Sequence, residues 1–411
     1  MRALFHTGGL PEPVPALWRS TVVFCVLDVF FTGLVGAYAF TVGGVAAVLA
    51  FIIAQQSMGI VGHWCGNLFL QSPLWSVLHL QRLGLLGLAC VLFLAGAAPL
   101  NSQWSLALLA LGGGLTRGLT YCARQWMELQ VKDAGVRQRY LSAVEAVNTL
   151  VKVAGPSLAA LLLWWQPGQV RFVLASVGLF FLLVLSREVK DRFDAPLAQP
   201  IRVFEQWQTK AFWRPAPYFV SEGAAHAMRP ALFISGAMTV VGSIKAFSIL
   251  EAASSLLAAV FLVRLSRRHL AGASYRLLAG SLCVMALAWL SLLGALHWAW
   301  LLPVFVVLHS MATPLANAQK AGLTMAGIAQ APGRIETNLF ARSLLLVTSR
   351  VGVLLVFYLL AQLGLSSQLL LHLMTAGVVL LLPLEYWTAK LCLQPKTSAP
   401  VLPAQLAPSV Q

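Results

Sequence analysis

The chain has 411 residues, 59% of them hydrophobic and only 10% charged, with a formal net charge of +15. So large an apolar share lies far outside the range of water-soluble globular domains and excludes a soluble enzyme as the reading of the whole chain. The positive charge comes without a nucleic-acid-binding motif or a basic segment interleaved with aromatics, so nucleic acid is excluded as a partner and one basic membrane face is expected instead.

A helix needs roughly 20 apolar residues to cross ~30 Å of hydrocarbon. Twelve stretches meet that length: 18–41, 43–66, 78–98, 103–123, 140–164, 169–186, 214–238, 243–264, 275–296, 299–319, 337–361 and 367–389. The first carries Asp28 and is not followed by a small-residue cleavage site, so it reads as a membrane span and not as a cleaved signal. The fourth holds Gly112-Gly113-Gly114 and Arg117, with Gly118 four residues after Gly114. That run lacks the Gly-Lys-Ser/Thr of a phosphate loop and reads as a place of close helix packing. The fifth holds Glu145, Lys152 and Gly155-Pro156; the seventh holds Glu222, His226 and Arg229 at i, i+4 and i+7, which stacks them on one face. The eighth contains Glu251, the tenth His309, the eleventh Arg342 and Arg350, and the twelfth Glu385.

Basic residues set the expected orientation. With both termini in the cytoplasm, Arg19, Arg82, Arg124, Arg137, Arg187, Arg214, Arg276, Lys320, Arg334 and Lys390 fall on cytoplasmic ends or loops. The outer loops keep little more than Arg171, with Lys245 close to one edge. Such asymmetry is the positive-inside pattern, and it agrees with an even number of spans. The six cysteines form no C-x-x-C pair and no zinc spacing; they read as packing residues, and no metal or cofactor is called for.

The longest polar interruption, about 187–213, separates two six-span halves that echo one another. Trp18-Arg19 recurs as Trp213-Arg214, Asp28 corresponds to Glu222, Ala50-Phe51 with Gln55 corresponds to Ala246-Phe247 with Glu251, and Lys152 corresponds to Arg350. This offset similarity argues for a duplicated unit. The expected organisation is therefore an N-terminal bundle over 1–186, a cytoplasmic linker over 187–213, a C-terminal bundle over 214–392 and a disordered tail over 393–411.

Two parallel six-helix repeats joined by a cytoplasmic loop resemble the major facilitator superfamily of transporters. The charged loop Asp133–Arg139 before Ala154-Gly155-Pro156, and Gly333-Arg334-Ile335 before the eleventh span, look like the superfamily's exporter features. The resemblance covers about residues 15–390. It departs at Gly62–Pro73, where the superfamily's usual acidic and basic loop signature is absent and only Arg264–His269 keeps a basic remnant in the second half. The resemblance implies an all-α membrane protein with twelve transmembrane helices in two pseudo-symmetric six-helix bundles. It also implies that the first helix of each three-helix unit lines a central cavity.

An ionisable side chain inside the bilayer costs ~3 kcal/mol or more unless it meets a partner or a wet cavity. Asp28, Glu222 and Glu251 are the proton-coupling candidates, because a carboxylate in a cavity can take up a proton on one side and release it on the other. For Asp28 the competing reading is a permanent ion pair with Arg117. Arg117, Lys152, His226, Arg229 and Arg350 are candidate cavity residues that suit an anionic group; Lys152 pairing with Glu145 and a satisfied polar seam along span seven are the alternatives. Arg342 and Glu385 are expected to form a structural ion pair, and His309 to be a hydrogen-bonded core histidine. Trp18, Trp104, Trp164, Trp165, Trp213, Trp298, Trp300 and Trp387 stand at span ends, as interfacial anchors do.

The expected function is a proton-coupled secondary transporter of a bacterial inner membrane, exporting a small anionic or zwitterionic molecule of siderophore or drug type. A symporter importing an organic anion or sugar, and a lysophospholipid-moving protein, are the alternatives. The expected partners are the substrate, protons and the lipid bilayer; a monomer suffices, and no enzyme chemistry is visible.

Overall fold

The computed structural model describes residues 14–98, 102–130, 134–165, 169–186, 207–208, 213–266, 275–330 and 335–393. Most of the linker 187–213, the tail beyond 393, the loop around Asp133 and Arg334 lie outside the described residues, as does the side chain of Glu145. In hydrocarbon every backbone N–H and C=O must be satisfied within the segment, so these apolar runs become helices.

The first helix, α1 (Val14–Val29), continues through a π-helical turn (Phe30–Val35) into Gly36–Leu70. Within that stretch Gly43 (φ −153°, ψ 25°) and Gly44 (φ 61°, ψ −148°) leave the helical path. Residues 36–42 thus finish the first crossing, and 45–70 form the second, α2. Gly44 occupies a backbone region open essentially to glycine alone. The remaining rods are α3 (Val77–Ala97), α4 (Gln103–Gln130), α5 (Ala134–Trp165), α6 (Val170–Ser186), α7 (Ala216–Val241), α8 (Ile244–Ser266), α9 (Tyr275–Ala295), α10 (Leu301–Gln330), α11 (Ile335–Gln362) and α12 (Ser367–Cys392). They follow the twelve expected spans, with α4, α5 and α10 running several residues beyond them. Among the described residues, seven stretches are by themselves long and apolar enough to cross a membrane, the longest being Trp18–Leu70, which the glycine break divides in two.

In the N-terminal bundle α2 lies against α4, α3 against α4 and α6, and α1 against α5. The α2–α4 contact is backbone to backbone: a Cβ on Gly118 would stand 2.1 Å from the Gly59 carbonyl oxygen, and one on Gly114 2.3 Å from that of Gln55. This bears out close packing as the role of the glycine run. Helices α3 and α6 clasp each other's ends. Arg82 donates to the Leu185 and Ser186 carbonyls, both at 3.0 Å, while Arg171 donates to those of Gly96 (3.2 Å) and Ala97 (3.1 Å). Each guanidinium thereby satisfies helix C-terminal carbonyls that have no intrahelical donor.

In the C-terminal bundle α7 packs on α11 and α12, α9 on α10 and α12, and α8 on α10. Trp289, Phe305 and Phe233 surround the His309 ring, which lies parallel to Phe233 within 8°. His309 is a core residue, with only Thr313 Oγ1 near its ring nitrogens. The bundles meet chiefly along α5 with α8 and α2 with α11. Trp104, Trp164, Trp165, Trp213, Trp298, Trp300 and Trp387 are all exposed, as anchors at the ends of spans should be.

Candidate functional site

A cavity of about 320 Å³ lies between the bundles. The N-terminal bundle contributes Gln55, Gln56 and His63 from α2, and Arg117, Tyr121 and Gln125 from α4; the C-terminal bundle contributes His226 from α7, and Arg342 and Arg350 from α11. These residues lie toward the end where α7 and α11 begin and α2 and α4 finish. At the other end the bundles touch. Gly36 faces Ile234, whose Cδ1 would be 2.8 Å from a Cβ on the glycine, and Lys245 Nζ sits 4.0 Å above the centre of the Trp164 ring.

Asp28 and Arg117 form a two-point pair: Arg117 Nε is 2.9 Å from Asp28 Oδ1, and Nη2 donates to Oδ2 at 3.4 Å. Thr32, one turn along the π segment, donates to Asp28 Oδ1 (3.3 Å) and accepts from Gln55 Nε2 (3.3 Å) and Arg117 Nη1 (3.4 Å). The widened turn brings Thr32 into this network, in keeping with the frequent placing of π segments at functional sites. Arg117 is on the cavity wall, with Tyr121 beneath its guanidinium at 6.0 Å and Asp28 behind it. On the opposite bundle Glu222 accepts from Arg342 Nη2 at 3.1 and 3.4 Å. The carboxylates Asp28 and Glu222 are therefore each neutralised by an arginine that itself faces the cavity.

The pair expected between Arg342 and Glu385 does not form. Arg342 is taken by Glu222, and Glu385, with none of its surface exposed, pairs with Arg229 Nη2 at 2.9 Å and with Lys320 Nζ. The reason lies in the packing: α12 rests more closely on α7 than on its sequence neighbour α11, so its carboxylate meets the cation of α7. Arg229 is correspondingly buried, 8% exposed, and away from the cavity wall, in contrast to the expectation for it. Lys320, expected at a cytoplasmic edge, is also buried.

His226 is the exposed residue on an otherwise buried stretch of α7, and it faces the cavity as expected. Lys152 is exposed and does not line the wall; its charge is within electrostatic range of Glu251 without an ion pair. Glu251 meets neither Arg350 nor Arg229. Its carboxylate oxygens instead press on Gly33 of the π turn, 3.1 and 3.2 Å from where a Cβ would stand. Arg350 crosses the gap between the bundles, donating from Nη1 to Gln56 Oε1 at 3.1 Å. A second cross-bundle contact sets the His63 ring against Phe340, centres 5.2 Å apart. Gln55, Gln56, His63 and Gln125 were missed as wall residues. The sequence signal for them is four polar side chains recurring along apolar helices, without a charge to draw notice.

The chain superposes on several solved transporter structures. The chain superposes on the nucleoside transporter NupG with a TM-score of 0.66 at 12% identity, covering 92% of this chain and 100% of that one. On the POT family transporter PepTSo the TM-score is 0.62 at 13% identity, over 93% and 98%. On an auto-inhibited POT family peptide transporter it is 0.61 at 14% identity, over 95% and 99%. No family model and no curated protein sequence matches the chain. The molecule is an all-α integral membrane protein with the major facilitator fold.

Proposed function

We propose that this protein is a secondary transporter that carries a small anionic or zwitterionic organic molecule by alternating access, coupled to protons. The observation that supports the reading most directly is the cavity between the bundles. Its two walls each present an arginine already bound to a repeat-related carboxylate, Asp28 with Arg117 and Glu222 with Arg342. Such a pair holds a proton site and a substrate site in competition. A substrate whose polar groups draw the arginine away leaves its carboxylate unpaired, and an unpaired carboxylate in a desolvated site favours protonation. Residues 1–186 and 214–392 would then rock as units about the α5–α8 and α2–α11 contacts.

We assign the direction as export across a bacterial inner membrane with both termini cytoplasmic, with the positive-inside pattern setting the orientation. The ground for that direction is the resemblance of the Gly155-Pro156 element to that of superfamily exporters; a Cβ on Gly155 would stand 3.0 Å from Val29 Cγ1, so the element packs on α1. The test is reconstitution in liposomes with a trapped pH-sensitive dye and an imposed proton gradient, presenting organic anions and siderophore-like compounds singly. Substrate-dependent proton movement in the wild type, lost in Asp28→Asn, is the expected result. Substrate movement without proton movement removes the coupling, and no movement of any compound removes transport.

A further inference from the structure

Three arginines, Arg117, Arg342 and Arg350, face one cavity, and among the described residues the carboxylates that pair with them number two. Arg350 makes no ion pair among the described residues. Its one acceptor is the neutral amide oxygen of Gln56, and its Nε is buried without a hydrogen-bond partner. Arg117 and Arg342 also bury an Nε without a hydrogen bond, but each has a carboxylate for its charge, so of the three it is Arg350 whose guanidinium is open to an anionic acceptor. The accounting of charge points the same way: among the described residues, the three arginines of the wall and the two carboxylates paired with them leave one positive charge in excess.

The acceptor Arg350 does have belongs to the other bundle. Gln56 is on α2 and Arg350 on α11, so the bond spans the gap in which a substrate would sit. A carboxylate offers a guanidinium a full counter-charge and a second point of contact, which a neutral amide oxygen does not. An arriving carboxylate would therefore take the place of the amide.

We infer that Arg350 holds the carboxylate of a monoanionic substrate, and that its bond to Gln56 is the empty-site contact which that carboxylate replaces. The inference rests on the cavity being the substrate site, and it names the substrate's charged group. A single excess positive charge matches a carboxylate and is overmatched by a dianionic phosphate ester. The glutamines and Tyr121 nearby supply hydrogen-bonding and ring surfaces for the neutral remainder.

The experiment measures equilibrium binding by thermal unfolding of the detergent-purified full chain at constant ionic strength. The probes are hippurate, hippuramide and phenyl phosphate. Hippurate and hippuramide differ only in carrying a carboxylate or a carboxamide. Hippurate should stabilise the wild type and hippuramide should not, with phenyl phosphate the weaker of the two anions. In Arg350→Gln the hippurate affinity should fall about tenfold or more, the size of one charge-assisted hydrogen-bonded contact. Gln56→Glu keeps the arginine but supplies a resident carboxylate, and should weaken hippurate comparably. Gln56→Ala should bind it as well as the wild type or better.

Equal effects of hippurate and hippuramide, no stabilisation of the wild type by hippurate, or unchanged affinity in Gln56→Glu would each overturn the assignment. Tighter binding of phenyl phosphate would replace the carboxylate by a phosphate and overturn the monoanion reading. Because binding is read without flux, loss of transport in liposomes with hippurate binding intact defeats the transporter reading alone. Transport that is indifferent to Arg350 defeats this one alone.

Discussion

Arg117 and Asp28 come from α4 and α1, 89 residues apart in sequence, and meet through two nitrogen–oxygen contacts beside the cavity. Their side chains keep 14% and 25% of their surface exposed, so water still screens the pair. Arg117→Gln should therefore lower stability by about 1–3 kcal/mol, less than a fully buried pair would lose, by leaving Asp28 with only Thr32. The double variant Asp28→Asn/Arg117→Gln should be the more stable of the two. Fluorescence-detected thermal unfolding in one detergent would decide; equal losses would mean that the charges are not coupled.

The triad of Arg229, Lys320 and Glu385 predicts a larger effect. Glu385 is fully buried between two cations, and Glu385→Gln leaves both without their counter-charge, at a loss of about 3–5 kcal/mol. Adding Lys320→Met should restore a substantial part, because one cation can then share the remaining amide. The measurement is the melting temperature of all three proteins, and a double variant no better than the single would refute the triad as a coupled unit.

Glycine substitutions separate packing from permissiveness. Gly118→Ala places a methyl 2.1 Å from a backbone oxygen of α2 and should cost about 3 kcal/mol or prevent folding. Gly352→Ala, where nothing lies within 4 Å, should be neutral or slightly stabilising. Yields of monodisperse protein and melting temperatures report both; similar behaviour of the two would contradict the α2–α4 contact.

The cation–π contact of Lys245 with Trp164 joins the bundles at the end away from the cavity, so alternating access requires it to part. Trp164→Cys/Lys245→Cys, bridged by a short bifunctional thiol reagent, should abolish flux in liposomes, and a cleavable version should restore it on reduction. Each single variant treated alike should transport. Undiminished flux in the bridged double variant would mean that this end stays closed throughout.

The twelve helices were legible because a membrane demands a local property, a run of apolar residues, and enforces helix on whatever carries it. The duplicated halves, the anchoring tryptophans, the glycine packing face and the core role of His309 were legible for a similar reason: residue type and spacing alone express them. Spacing also singled out Asp28, Arg117, Glu222, His226 and Arg350, which the structure places on the cavity wall or paired with an arginine of that wall.

Partnership was a different matter. Each residue turns the helix face by about 100°, and each helix chooses its neighbours through packing, so two charges at the same depth are partners only if their faces meet. Arg342 and Glu385 lie at the same end of consecutive helices, yet Arg342 finds Glu222 and Glu385 finds Arg229 and Lys320, because α7 stands among them. The same argument explains Gln56: an uncharged residue on an apolar helix acquires its meaning only when Arg350, 294 positions away, is folded against it. The sequence by itself determined where the helices run and which charges enter the membrane, since both follow from local solvation. Only the tertiary structure decided which charges neutralise one another and that Arg350 meets a neutral amide across the bundles, since that depends on contacts between helices far apart in the chain.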